Sequence, residues 1–497
     1  MVGKKIIYQL LLRAFGKRDC IAGGSYDRNG SGKFNDISDD MLKRFKKLSL
    51  SAIWFTGVIA HATKTKFKTI PPCNASLVKG EAGSPYAIRN YFDVDPALAV
   101  NIDNRMGEFE AMVKRCHKAE LDVIIDFVPN HVYREYTSYY TKDNFYYLDA
   151  PLSLPAALHS NYVEIPAKVT GNDCYTTTPS QNDWYDTVKL NYNNHSTWKK
   201  MLDVLFFWAS KGVDGFRCDM VELVPAEFFG WAFDELKRFF PNTYFIAEVY
   251  NKDNYRKYSE IGKFDYLYDK SGFYDALRAV SNGSKPASDL SHEWQFLGDL
   301  QPKMLNFLEN HDEQRVASDY FAGSGKAAFP LLAVSLLFNT SLFMLYFGQE
   351  FGERGMEKEG FSQLDGRTSI YDYCSVPSIK RWLEGKLKVD EIVVYKEYCR
   401  LLRIATADSM FSRGMTFDLM YVNPTSDHFN AEKQFAFMRS YDGAAMVIVA
   451  NFAYEPVVVD VFIPQYAFDY MGLTMKEQSL HIKVAARDYM RMDISNK

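Results

Sequence analysis

The chain has 497 residues, of which 47% are hydrophobic and 24% charged, with 62 acidic against 58 basic side chains for a net charge of −4. Such a length buries more than one core, the balance is that of a soluble globular protein, and the near-neutral charge offers no bulk field to nucleic acid or an anionic membrane. Seven scattered cysteines (20, 73, 116, 174, 218, 374 and 399), odd in number and without a Cys-x-x-Cys pair, argue against a disulfide framework or zinc site; they predict reduced, buried thiols and a cytoplasmic home.

Taken in order, the chain opens on Lys4-Lys5 and an apolar run, but Gln9 interrupts that run and Arg13 closes it, so it reads as a strand rather than a signal peptide. If a leader had been removed, the protein would be periplasmic or secreted instead. Short apolar strands then alternate with amphipathic helices through the first four hundred residues. Strands are expected at 5–10, 52–55, 122–127, 213–218, 244–247, 266–267, 304–307 and 342–346. Intervening helices are legible at 39–47, with Leu42, Phe45 and Leu48 on one side, and at 107–118, with Phe109, Met112, Val113 and Cys116. A third covers 197–211 with Trp198, Met201, Leu202, Leu205, Phe206 and Ala209 inward, stopped by Gly212. Eight strands in this rhythm predict an α/β fold, a closed (β/α)8 TIM barrel with its chemistry in the loops at the strands' C-terminal ends, although a doubly wound sheet has the same rhythm.

Two connections are too long to be turns, 57–100 after the second strand and 131–188 after the third. The latter forms an inserted lobe, so the barrel comprises 1–130 and 189–403. The apolar stretch 329–348 is broken by Asn339-Thr340-Ser341 and reads as a buried helix, a turn and a buried strand rather than a membrane span. From 404 the pattern changes to alternating strands at 434–439, 445–451 and 457–463, which predicts a C-terminal all-β sandwich domain over 404–497.

Four polar clusters fall where strands end: 126–131, 215–219, Glu248 and 309–312. On the fourth strand, alternation sends Arg217 and Asp219 to one side and Phe216 and Cys218 to the other. A cation beside a carboxylate favours its ionised form, as a nucleophile requires. Each cluster alone has a structural reading: a turn cap at Asp126, an ion pair at Arg217, an ordinary strand-end acid at Glu248, a helix cap at His311-Asp312. Four in succession around a barrel are harder to obtain by accident.

Together they resemble the alpha-amylase family of glycoside hydrolases (family 13). Asp126 to His131, Gly215 to Asp219, Ala247-Glu248-Val249 and Asn310-His311-Asp312 match its four signature regions in order and spacing. Gly83-Ser84-Pro85-Tyr86, Tyr91 to Pro96, Tyr346 to Glu350 and Lys189-Leu190-Asn191-Tyr192 add to the match. The resemblance implies Asp219 as nucleophile, Glu248 as general acid and base, and Asp312 as a third acid holding the reacting ring's hydroxyls. It also implies Tyr86 stacking beneath that ring, His131 and His311 bonding its hydroxyls, Arg217 keeping Asp219 charged, and Asp126 orienting Arg217.

The chemistry so implied needs no cofactor. A structural calcium ion is the one group the family adds, in a loop resembled by Asp27, Asn29, Ser31, Lys33 and Asn35, where Ser31 and Asn35 replace further aspartates. The alternative there is a Gly-rich turn bonded to itself. A second family site would use Asn130, but the lysine and histidine that follow the nucleophile in starch-cleaving members are Glu222 and Leu223 here. That departure implies a different aglycone site. The expected partner is an alpha-glucan or malto-oligosaccharide cleaved at alpha-1,4 bonds, with no nucleic acid or membrane partner and the oligomeric state left open. An alpha-1,6-glucosidase or glucanotransferase is the alternative, and a noncatalytic glycan-binding subunit the remote one, since Asp219, Glu248 and Asp312 are all present.

Overall fold

A computed structural model describes residues 3–494 apart from 137, 159–160, 358–360 and 362. All eight expected strands form: β1 (Ile6–Leu11), β2 (Ala52–Thr56), β3 (Asp122–Phe127), β4 (Gly215–Cys218), β5 (Tyr244–Ala247), β6 (Tyr266–Tyr268), β7 (Met304–Phe307) and β8 (Leu342–Tyr346). They pair in parallel in sequence order, and β8 closes on β1, so the sheet is a barrel and not a doubly wound sheet. Nearly every strand residue is buried because the barrel interior meets one face and the helices meet the other.

Helix Arg105–Lys118 buries Phe109, Met112, Val113 and Cys116, as its spacing requires. Helix His195–Ser210 is rotated from the expected stripe: Met201, Leu205 and Ala209 are buried, but Val204 and Trp208 join them in place of Trp198, Leu202 and Phe206. Trp198 instead packs against Phe228 and Trp231 of the neighbouring helix Ala226–Lys237, with ring centroids 5.7 and 5.8 Å apart. A helix with a broad apolar face thus serves two interfaces. Helix Phe329–Leu337 precedes β8 and is almost wholly buried, and no described helix is long and apolar enough to cross a membrane.

The lobe after β3 has little regular structure. Two short antiparallel pairs hold it, His131–Tyr133 with Thr187–Lys189 and Tyr147–Leu148 with Ala167–Lys168. Helix Val389–Ala407 runs through position 404, and antiparallel strands follow: β9 (Met415–Asp418), β10 (Gln434–Tyr441), β11 (Ala444–Asn451), β12 (Val457–Ile463), β13 (Gln478–Val484) and β14 (Asp488–Asp493). They form a four-stranded sheet, β9-β10-β11-β14, and a two-stranded one, β12-β13. Strands β9, β13 and β14 were not named in the sequence reading; β13 does alternate, with Leu480, Ile482 and Val484 on one side, whereas β9 and β14 are short and mixed. None of the seven cysteines is in a disulfide, but only Cys116, Cys218 and Cys374 are buried; the other four are half-buried.

Candidate active site

Strand register gathers the polar clusters. In the ladder Arg217 sits between Asp126 of β3 and Ile246 of β5. One step on, the Asp219 amide donates to the Phe127 carbonyl at 2.8 Å and the Glu248 amide to the Cys218 carbonyl at 3.1 Å, so both acids leave their strands at one level of the barrel mouth. Alternation works as expected: Phe216 faces outward onto Phe245, while Arg217 and Asp219 face inward.

Arg217 is fully buried at the centre. Its Nη1 lies 2.7 Å from Asp219 Oδ1 and 3.6 Å from Asp126 Oδ1, its Nη2 pairs with Glu248 Oε1, and its guanidinium lies 5.3 Å from the ring centres of both Trp54 and Tyr86. Asp219 therefore spends one oxygen on the guanidinium. Its other oxygen, Oδ2, is buried with no hydrogen-bond donor among the described residues; His131 Nε2 is 4.0 Å away. Glu248 accepts from the Met220 amide at 2.7 Å through Oε2 and from the Tyr250 hydroxyl at 3.1 Å through Oε1. Met220 is left-handed, with φ of 46°, a conformation that costs a non-glycine residue ~1–2 kcal/mol and here aims its N–H at the acid.

Asp126 accepts from the Gly57 amide at 3.2 Å and the Tyr86 hydroxyl at 3.4 Å. The Tyr86 hydroxyl meets His311 Nε2, which also lies 3.1 Å from Asp312 Oδ2. No helix follows Asp312. Instead Asn310 Oδ1 accepts from the amides of Asp312 and Glu313, a tight turn that sends the Asp312 side chain, 39% exposed, toward the opening.

Electrostatics depart from the expectation for Asp219. Burial pushes its carboxyl up to about 6, outweighing the opposing charge and hydrogen bond of Arg217, and the Asp126 and Asp312 carboxylates add to the rise. Burial pushes Glu248 further, to about 8, and Asp126 to about 6. Burial also depresses His131 to about 3 and His311 to about 4, so both imidazoles are neutral. A buried acid that stays protonated beside one that ionises earlier is the pairing that acid–base and nucleophilic chemistry uses.

Asp219, Glu248, Asp312, Tyr86 and His131 line one cavity of about 300 Å³, with Arg217, His311 and Asp126 directly behind them. The same walls include residues absent from the sequence reading: Lys79, Trp184, Asp186, Tyr250 and Tyr371. Trp184 lies against His131, with centroids 5.1 Å apart. Its position in an aromatic-rich lobe was the only signal available.

Residues 24–256 match the family described as "Alpha amylase, catalytic domain". That stretch is similar to an alpha-amylase catalytic domain. Alpha-amylase 3 of Dictyoglomus thermophilum is 25% identical over 445 residues, 82% of this chain and 78% of that protein. Alpha-amylase MalA of Haloarcula japonica is 26% identical over 70% of this chain, which spans only 44% of it. The maltogenic alpha-amylase AmyB of Thermotoga neapolitana shares the fold, with a TM-score of 0.67 at 19% identity and 99% of each chain covered.

Two features separate this chain from the pattern that the resemblance to the alpha-amylase family implies. Glu222 is an anchor: it accepts from the amides of Tyr250 at 2.8 Å and Asn251 at 3.2 Å, and from the Asn254 side chain at 2.6 Å. It thereby fixes the loop that lays Tyr250 on Glu248. The second is the cation loop. Asp27 and Asn35 face solvent, the Asn29 amide is used up on the backbone of Ile21 and Gly24, and Ser31 Oγ donates to a neighbouring carbonyl. The Lys33 ammonium bonds the carbonyls of Ala97 at 2.7 Å and Ala99 at 3.1 Å and the Tyr26 hydroxyl at 2.7 Å. Oxygens that would be drawn to a metal already surround an ammonium group, so this donor set does not fit calcium. Near Asn130, whose Oδ1 is buried and unpartnered, the adjacent strand carries Lys189, paired with Asp173. One neutral oxygen beside a fixed cation is likewise a poor calcium site, and no group of three or more acidic, histidine or cysteine side chains converges for a metal among the described residues.

Proposed function

We propose that this glycosidase hydrolyses alpha-1,4 bonds of malto-oligosaccharides with retention of anomeric configuration. The observation that carries the reading is the shared guanidinium: Asp219 accepts a hydrogen bond from one terminal nitrogen of Arg217 and Glu248 is ion-paired with the other, at the wall of one cavity. Carboxyls spanned by one guanidinium suit the ~5 Å separation of a retaining pair better than the ~6.5–9.5 Å of an inverting one. Asp219 Oδ2, free of donors, attacks the anomeric carbon as Glu248 gives its proton to the departing oxygen, and a covalent glycosyl-enzyme forms. Water then enters, Glu248 takes its proton, and the new hydroxyl displaces Asp219 from the side the leaving group vacated. Asp312 and the neutral His131 and His311 bond the ring's hydroxyls, and Tyr86 offers its ring as the floor. A cavity at the small end of the range for ligand sites favours short oligosaccharides over long chains.

A second reading, alpha-1,6 cleavage or transfer to a sugar acceptor, draws support from Glu222, which builds the leaving-group side around Tyr250. Proton NMR of maltoheptaose digestion tests both. Early alpha-anomer with maltose and maltotriose supports the first; longer products indicate transfer; cleavage confined to isomaltose or panose moves the bond to alpha-1,6. The beta-anomer appearing first would overturn retention. Asp219→Asn should abolish turnover while leaving glucan binding intact, and inertness of the wild type toward every alpha-glucan would leave only the binding-subunit reading.

A further inference from the structure

Lys79 and Asp186 are nine-tenths buried or more, carry opposite charges and line the same cavity, yet take no part in the chemistry above. Their separation leaves the pair open. Lys79 Nζ lies 3.6 Å from Asp186 Oδ1, outside hydrogen-bond range, whereas the buried pairs Arg134–Glu164 and Arg315–Glu309 both close to 2.7 Å. No described residue gives the Lys79 ammonium an acceptor at hydrogen-bond distance or the Asp186 carboxylate a donor; the Tyr185 ring, 5.4 Å from Nζ, is the further neighbour. Buried charges left without hydrogen bonds are costly unless something else completes them.

A hydroxyl can do so, because it accepts through a lone pair and donates its proton at once. An oxygen seated over the gap accepts from the ammonium and donates to the carboxylate, and a sugar offers such groups at fixed positions around a ring. The barrel order says which sugar. Lys79 follows β2, Asp186 ends the lobe that follows β3, Asp219 follows β4 and Glu248 follows β5. The pair thus stands across Asp219 from the acid that would protonate the leaving group. Lys79 is near enough to His131 for its charge to help depress that imidazole, which puts the pair beside the ring His131 bonds.

We propose that Lys79 and Asp186 are a specificity-determining clamp for one hydroxyl of the glycone sugar, admitting rings that present that hydroxyl and rejecting those that lack it. The inference rests on the glycosidase reading for its substrate class. It differs from a structural ion pair between barrel and lobe, which would be indifferent to the ligand's hydroxyls.

The test uses 4-nitrophenyl alpha-maltoside and its monodeoxy analogues with wild type, Lys79→Met, Asp186→Asn and the double variant. The double variant leaves no single buried charge and remains informative if either single one misfolds. One deoxy analogue should lose ~10- to 100-fold in kcat/KM with the wild type, the worth of a hydrogen bond to a charged group. The folded variants should lose a similar factor on the parent glycoside, and little more than roughly twofold on removal of that same hydroxyl. Losses that multiply for every analogue, or a double variant that matches wild type, would overturn the clamp. If the wild type binds maltosides without cleaving them, the same coupling read calorimetrically in Kd supports the clamp while the hydrolase reading falls. If it neither cleaves nor binds them, both fall.

Discussion

Asp219 and Glu248 share one arginine but titrate apart, and that difference sets the pH behaviour expected of the site. With Asp219 pushed to about 6 and Glu248 to about 8, the productive state, Asp219 ionised and Glu248 protonated, prevails between those values. A bell-shaped kcat/KM profile should therefore rise near pH 6 and fall near pH 8, both limbs belonging to the coupled pair. In Glu248→Gln the alkaline limb should vanish, with activated aryl glycosides retaining far more rate than maltosides; equal losses on both would argue against the acid role. The same group costs stability. Its folded pKa of about 8 stands above the 4.5 of an ordinary glutamate, so the native state holds a proton the unfolded chain has released, and stability falls as pH rises through that interval. Glu248→Gln removes the penalty: its Tm should exceed wild type by ~2–5 °C at pH 8, with the gap closing toward pH 5 in thermal melts.

The elements after β4 and β5 show how a departure from a family pattern can become a fixture. Glu222 takes over the amides at the head of the Tyr250 loop, which ordinary loop geometry would leave to water. Glu222→Ala should free that loop, lowering kcat/KM on maltosides by ~10-fold while barely changing Tm, because a few half-buried bonds set the loop's position and not the barrel's stability. In the loop after β1, the Lys33 ammonium among three oxygens makes the turn a built-in cation site. Dialysis against EDTA should leave activity and Tm unchanged. A fall of several degrees restored by calcium would show that a metal binds after all.

At the scale of the molecule, the C-terminal sheets are tied to the barrel by buried bases rather than by acid–base pairs. Arg439 of β10 is fully buried and donates to the carbonyls of Phe338 at 2.8 Å, Leu337 at 3.4 Å and Gly414 at 3.2 Å. Arg487 similarly reaches the Ser281 and Phe452 carbonyls at 3.1 and 3.0 Å. Arg439→Met would remove donors from the Leu337 and Gly414 carbonyls in a dry interface and leave Phe338 to the Thr416 hydroxyl alone, so ~2–4 kcal/mol should be lost, read as a lower denaturation midpoint with the catalytic pH profile unchanged. The eight strands and the acids Asp219 and Glu248 at two of their ends were legible in the sequence, because strand alternation and the position of an acid just past an apolar run are local properties, whereas closure of the sheet was decided by the pairing of β8 with β1. The rotation of helix His195–Ser210 was not, since an apolar residue such as Trp198 does not declare which of two neighbours it will face. Nor was the cavity wall: Lys79 and Asp186 lie in two loops more than one hundred residues apart, and only the folding of the lobe over the mouth sets them face to face. By itself the sequence placed the acids, through residue types at strand ends. Tertiary structure alone decided the electrostatics, because burial and the sharing of one guanidinium among three acids depend on distances in space that no spacing along the chain encodes.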